Sequence, residues 1–185
     1  MLKLCKRTDL RGLLLLASMY AFLCCPAPVL PKSPTVFAAK VINVESGNII
    51  DVRADDDGMP LQVILFAIDA PTPPQAFGTQ SASYLKAILE STDNHIQLQR
   101  MRDLGAGRIV AKVILWNDVY VNALQVRLGM AWWDCRGKQE CNQLDLKKIQ
   151  QVAKNNQWGV WSEQNPIRPR YFRMIQKLDA ECACE

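Results

Sequence analysis

Leu61-Gln62-Val63-Ile64-Leu65-Phe66-Ala67-Ile68 is an almost unbroken apolar run, and Asp69-Ala70-Pro71-Thr72-Pro73-Pro74 ends it at once. The run is too short for a stable helix packed on one face and has the length of a strand buried on both sides. Prolines at 71, 73 and 74 cannot donate to a ladder, so the strand stops in a rigid loop. A strand of this kind needs paired neighbours, and the flanking sequence supplies them. Residues 40–44 read as a strand that breaks at Ser46-Gly47-Asn48, and residues 49–52 resume it. Asp55-Asp56-Asp57-Gly58 is a hairpin turn signal. Residues 95–99 alternate, and 108–116 place Ile109, Ala111, Val113 and Leu115 on one side.

Three helices are expected between and after these strands. Residues 78–90 carry Ala82, Leu85, Ile88 and Leu89 at helical spacing, with Ser81 and Ser83 turned outward. Residues 121–128 form a short helix stopped by Gly129, and 144–155 form a last one before Gly159. Five short strands in mostly antiparallel order with about three helices give an α+β, mainly β fold. The economical solution is a five-stranded OB-type barrel with helices inserted after the third strand and at the end.

The first 38 residues are set apart from this domain. Lys3, Lys6, Arg7 and Arg11 precede an apolar stretch from 13 to 25, and prolines 26, 28, 31 and 34 follow. That stretch matches a signal peptide and is short of the about 20 apolar residues a membrane span needs. Val36-Phe37-Ala38 supplies a small-x-small cleavage site before Ala39. The expectation is a secreted or periplasmic protein. The alternative is a chain anchored in the membrane by an uncleaved N-terminal segment. The division expected is 1–38 signal peptide or anchor, 39–162 barrel domain, 163–185 C-terminal tail.

Removing the leader changes the charge argument. The whole chain has 22 Lys and Arg against 18 Asp and Glu; five of those bases and one acid lie in residues 1–38, so the remainder carries no net charge. A neutral domain lacks the broad positive field that drives non-specific binding to phosphates. Four cysteines remain: Cys135, Cys141, Cys182 and Cys184. In an exported domain an even number suggests disulfides, and Cys135–Cys141 is the natural local pair. Cross-pairing with the tail stays open, and a zinc site is a weaker reading because neither spacing is CxxC. Arg168, Arg170, Arg173 and Lys177, with Tyr171 and Phe172 among them, form a basic cluster that reads as a solvated tail or a nucleic-acid contact.

Six blocks, in order, resemble the staphylococcal nuclease (thermonuclease, SNase-like) family over residues 39–162. They are Gly47 in the first hairpin, Ile68-Asp69-Ala70-Pro71, Gln75-Ala76-Phe77-Gly78, Gly107-Arg108, Val121-Asn122-Ala123-Leu124 with Gly129-Met130-Ala131-Trp132, and Trp158-Gly159-Val160-Trp161. The resemblance implies a calcium-dependent phosphodiester endonuclease acting on DNA or RNA. Calcium would sit on carboxylate and carbonyl oxygens, a glutamate would activate water, and two arginines would balance charge on phosphorus.

At the positions that carry this chemistry the chain departs from the pattern. The metal-binding aspartate of the first hairpin is Asn48, the third-strand arginine is Ile64, and the water-activating glutamate is Thr72. Asp69, the backbone carbonyl of Ala70 and Arg108 remain. Thr72 cannot act as a base near neutral pH, and loss of one preorganised charge costs ~10²–10³ in rate. The expectation is a non-catalytic or severely impaired nuclease-like domain that serves as a binding or interaction module, with no cofactor or at most weakly held calcium. Two alternatives stand beside it. One is an active calcium-dependent endonuclease with ligands drawn from Glu45 or Asp51; the other is a nucleic-acid-binding OB domain without hydrolysis. The expected partner is nucleic acid or another exported protein, with membrane contact only through the N-terminal segment. Asn48, Asp69, the Ala70 carbonyl, Arg108, Ile64 and Thr72 are expected to share one depression.

Overall fold

A computed structural model describes residues 35–135 and 145–182. Strands β1 (Val36–Ser46), β2 (Ile49–Ala54) and β3 (Pro60–Leu65) form an antiparallel meander. After β4 (Ile68–Asp69) and helix α1 (Gly78–Glu90), strands β5 (His95–Gly105) and β6 (Arg108–Ile114) form a hairpin. β5 pairs with β1, and β6 runs parallel to β3, which closes a barrel in the order β1-β2-β3-β6-β5. Helix α2 (Val121–Arg127), strand β7 (Trp132–Trp133), helix α3 (Leu146–Asn155), a 3₁₀ turn (Gly159–Ser162) and helix α4 (Pro169–Cys182) complete the chain.

The barrel is filled by alternate residues of its strands. Ile50, Val52, Val63, Leu98, Ile109 and Val113 are buried in one cluster, into which α1 inserts Leu85 and Leu89. Each such side chain contributes roughly 1.5–3 kcal/mol on leaving water. Register shifts in β1, at Val41/Asn43 and Val44/Ser46, and in β5, at Arg100/Arg102 and Asp103/Gly105, add the local twist that lets a five-stranded sheet curl shut.

The elements differ from the sequence reading in five places. The third strand stops at Leu65, because Ala67 takes φ 61 and turns the chain; Ile68 and Asp69 then pair with Trp133 and Trp132 in a separate two-stranded sheet. β1 begins at Val36, so Val36, Phe37 and Ala38, assigned above to the leader, pair with Gln99, Leu98 and Gln97. β5 continues through Arg100-Met101-Arg102-Asp103, where bulges and solvent exposure hide the alternation. Ser81 is fully buried, not turned outward, because its hydroxyl donates to the Met130 carbonyl at 2.6 Å. Residues 169–182 of the expected tail form a fourth helix.

A buried polar scaffold fixes the first hairpin against the helices. A side chain at Gly47 would collide with Ser81 Oγ and come within 2.9 Å of Ala70 Cβ, so only glycine lets the turn approach α1 this closely. Gln125 on α2 donates from Nε2 to the Gly47 carbonyl at 2.6 Å. Asn122, fully buried, accepts from the Val113 amide at 3.0 Å and donates to the Phe66 carbonyl at 2.9 Å. These bonds tie α2 to the chain on both sides of the barrel closure and set where Asn48 and Asp69 lie.

Candidate active site

Asn48 and Asp69 both line one cavity of about 370 Å³ at the end of β3, together with Ile64, Arg102, Asp134 and Arg173. Asn48 is held there through its backbone, whose carbonyl accepts from the Leu65 amide at 2.9 Å. Its side-chain oxygen faces Ser46 Oγ at a long 3.4 Å. Asp69 is fixed by the β4–β7 pairing and is only 7% exposed. Both of its carboxylate oxygens accept from Nη2 of Arg173, at 2.8 and 3.0 Å.

Arg173 comes from α4. The approach to that helix is pinned by the buried Gln75, which donates from Nε2 to the Ile167 carbonyl at 2.7 Å. One turn before Arg173, Arg170 stands 3.9 Å from the Asp134 carboxylate. Two arginines three residues apart on one helix face therefore meet the two carboxylates of the cavity. The sequence reading left these arginines in a solvated tail or on nucleic acid; their spacing was the signal that they share a face.

Arg108, Thr72 and Ala70 are not among the residues lining this cavity. Arg108 is exposed and donates from Nε to Gln62 Oε1 at 3.0 Å, and Gln62 donates in turn to Glu45 Oε2 at 2.8 Å. In the parallel register Arg108 lies beside Gln62 and Val110 beside Ile64. Arg108 is thus one side-chain step, about 6.6 Å along the strand, from the row that borders the cavity. The polar partners on its own row hold it there. Thr72 is half-buried in the loop, where its carbonyl accepts from the Gln75 amide at 2.9 Å, and Ala70 is fully buried against the Gly47 turn.

Glu45 and Asp51 belong to the same outer row. Asp51 accepts from Asn43 Nδ2 at 3.1 Å, and neither acid lines the cavity. Trp132 is buried and packs on Trp161 with ring centroids 5.0 Å apart, so it belongs to the interior. The expected Cys135–Cys141 bond involves a residue, Cys141, outside the described residues.

The family model for staphylococcal nuclease homologues matches residues 62–163, more than half of the chain. The chain belongs to the staphylococcal nuclease homologue family. The match covers most of β3, the cavity-lining residues from Ile64 to Asp134, helices α1 to α3 and the Gly129–Gly159 contact, where the Val160 amide donates to the Gly129 carbonyl at 3.0 Å; Asn48 and Arg173 lie outside it. Among curated proteins the chain is similar to an uncharacterized endonuclease of Escherichia coli, with 28% identity over 72% of this chain and 83% of that protein. It is also similar to an uncharacterized endonuclease of Haemophilus influenzae, at 26% identity over 76% and 75% of the two chains. A third relative is the Escherichia coli protein ParB, at 27% identity over 72% and 77%.

Family membership implies calcium, and the residues of this staphylococcal nuclease homologue do not fit it. Calcium takes six to eight oxygen ligands, several of them charged. Here a guanidinium faces both oxygens of Asp69, the carboxylate expected to bind the metal. Asn48 adds a neutral amide. Among the described residues no group of three or more His, Cys, Asp or Glu is placed to hold a metal ion. Asp69 and Asp134 of the cavity are each paired with an arginine of α4, and Arg102 and Ile64 line it beside them.

Proposed function

We propose that this is an exported nuclease-like domain that binds a partner and does not cleave phosphodiesters. One observation carries the reading: Asp69, the surviving carboxylate of the family metal site, has both oxygens satisfied by Arg173 of the same chain. The substitutions at Asn48, Ile64 and Thr72 support it, since each removes a charge that the reaction needs. Export is supported by the basic and apolar segment that opens the chain and by the cysteines that follow the barrel. Among the described residues no helix is long and apolar enough to cross a membrane.

The names of the Escherichia coli and Haemophilus influenzae relatives favour a second reading, a working endonuclease. A cleavage assay on DNA and RNA, with and without calcium, separates the two. The expected result is no calcium-stimulated product above a buffer control. Restoring Asn48→Asp, Ile64→Arg and Thr72→Glu together then yields detectable cleavage, because such residues act as a unit. Calcium-dependent cleavage by the unaltered protein, abolished by Asp69→Ala, would establish the endonuclease instead.

A further inference from the structure

The cavity at the end of β3 is lined in part by donors that have nothing to donate to. Asn48 is only 8% exposed, and its side-chain oxygen is turned to Ser46 Oγ. Its Nδ2 has no hydrogen-bond partner among the described residues, although a buried amide ordinarily finds one. Arg102 lines the same cavity, is exposed, and has no acidic partner among the described residues. The register explains how it reaches there: Arg102 stands opposite Val110, and Val110 stands beside Ile64. The three share one row across β5, β6 and β3, so the arginine edges a short apolar shelf, which Phe66 extends by packing with Val110 and Ile64. The acids of the cavity are already engaged. Both oxygens of Asp69 accept from Arg173, and Asp134 has Arg170 and a further contact. The charge left over among the described lining residues is that of Arg102.

We infer that this cavity receives a carboxylate instead of a cation, and that its occupant is a peptide carboxylate with an apolar side chain beside it. Asn48 stands where the resemblance places an acid, and an amide donates where a carboxylate only accepts. Arg102 offers a planar fork that matches a carboxylate, and Asn48 Nδ2 adds a neutral N–H. The shelf of Ile64 and Val110 takes the neighbouring apolar group. One uncompensated cation balances one monoanion. A nucleic-acid strand would bring a run of phosphates past Asp69 and Asp134, and the residues after the first 38 carry no net charge to draw it in. The inference rests on the binding-module reading above and gives that module a partner class.

Proton–nitrogen correlation spectra of the full chain, titrated with N-acetylleucine, test this without reference to cleavage. The probe joins a carboxylate and an apolar side chain in one small molecule. The signals of Arg102 Nε–H and of the Asn48 side-chain amide should shift and saturate at millimolar probe. N-acetylleucinamide, which lacks the charge, should bind at least tenfold more weakly. N-acetylleucine should lose at least as much on Arg102→Gln and on Asn48→Asp, while the barrel amides of both variants keep their dispersion. Arg108→Gln, one step outside the cavity, should bind as the unaltered chain does. Absence of a saturable shift at the two side chains, equal binding of the amide, undiminished binding to Arg102→Gln, or loss of binding in Arg108→Gln would overturn the inference. Tighter binding of inorganic phosphate or of a DNA oligonucleotide at the same signals would overturn it too, by making the occupant a phosphate. Cleavage by the unaltered protein would overturn the binding-module reading instead, so the two failures are told apart.

Discussion

The helix side of the barrel and the cavity beside β4 are both polar, but their polar groups do different work. Under the helices, Asn122, Gln125 and Ser81 are fully buried and bonded to backbone, and Gly47 lets two segments touch with no side chain between them. In the cavity, the acids are paired with arginines that remain roughly 40% exposed. Buried backbone partners cannot be replaced by water, whereas exposed charges can. The fold of this chain is therefore held under the helices by bonds that do not involve the side chains of Asn48, Ile64 or Thr72.

The largest effect should come from the helix side. Asn122→Ala strands the Val113 amide and the Phe66 carbonyl in the interior, each at about 1–3 kcal/mol. Denaturant unfolding should show a loss of about 2–4 kcal/mol with little change in slope. A loss under 1 kcal/mol would mean that the contrast between the two regions is not one of burial.

Tyr120, at the start of α2, sharpens the same contrast through pH. Its hydroxyl is buried without a hydrogen-bond partner, and burial pushes its pKa well above the ordinary value of 10.0. The unfolded chain loses this proton near pH 10 and the folded chain keeps it. The contribution is therefore complete below pH 10 and declines as pH rises above it, by about 1.4 kcal/mol for each further unit. Tyr120→Phe should flatten the alkaline limb of a stability-versus-pH curve, and an unchanged limb would place the hydroxyl in water.

The smallest effect should come from Arg108. It is exposed and bonded only to the exposed Gln62–Glu45 pair, so Arg108→Ala should shift stability by less than about 0.5 kcal/mol in the same unfolding assay. A larger loss would give the outer row a structural weight that its exposure denies.

The fold was largely legible because its signals are local. The apolar run at 61–68, the Asp55–Gly58 turn and the spacing of Leu85 and Leu89 mark a strand, a hairpin and a helix on their own. The strand that ends at Leu65 was read three residues too long, because the left-handed turn at Ala67 leaves no mark in an alanine. Ser81 was turned the wrong way because its partner, the Met130 carbonyl, lies 49 residues on. The cavity was legible only by resemblance. Asn48 and Asp69 do share it, but Arg108 is held one step away by Gln62, a neighbour that only the parallel β3–β6 register reveals. Arg173 joins Asp69 across 104 residues, and no periodicity spans such a distance.

On the proposed reading, Arg173 holds Asp69 in place of a metal ion. Calorimetric titration of the full chain with calcium, followed by melting at each concentration, tests it most directly. A ligand that binds only the folded state raises the melting temperature by mass action. No saturable heat and no rise in melting temperature are expected at millimolar calcium. Saturable binding with a matching rise, both removed by Asp69→Asn, would show that Arg173 yields the carboxylate to the metal and would contradict it.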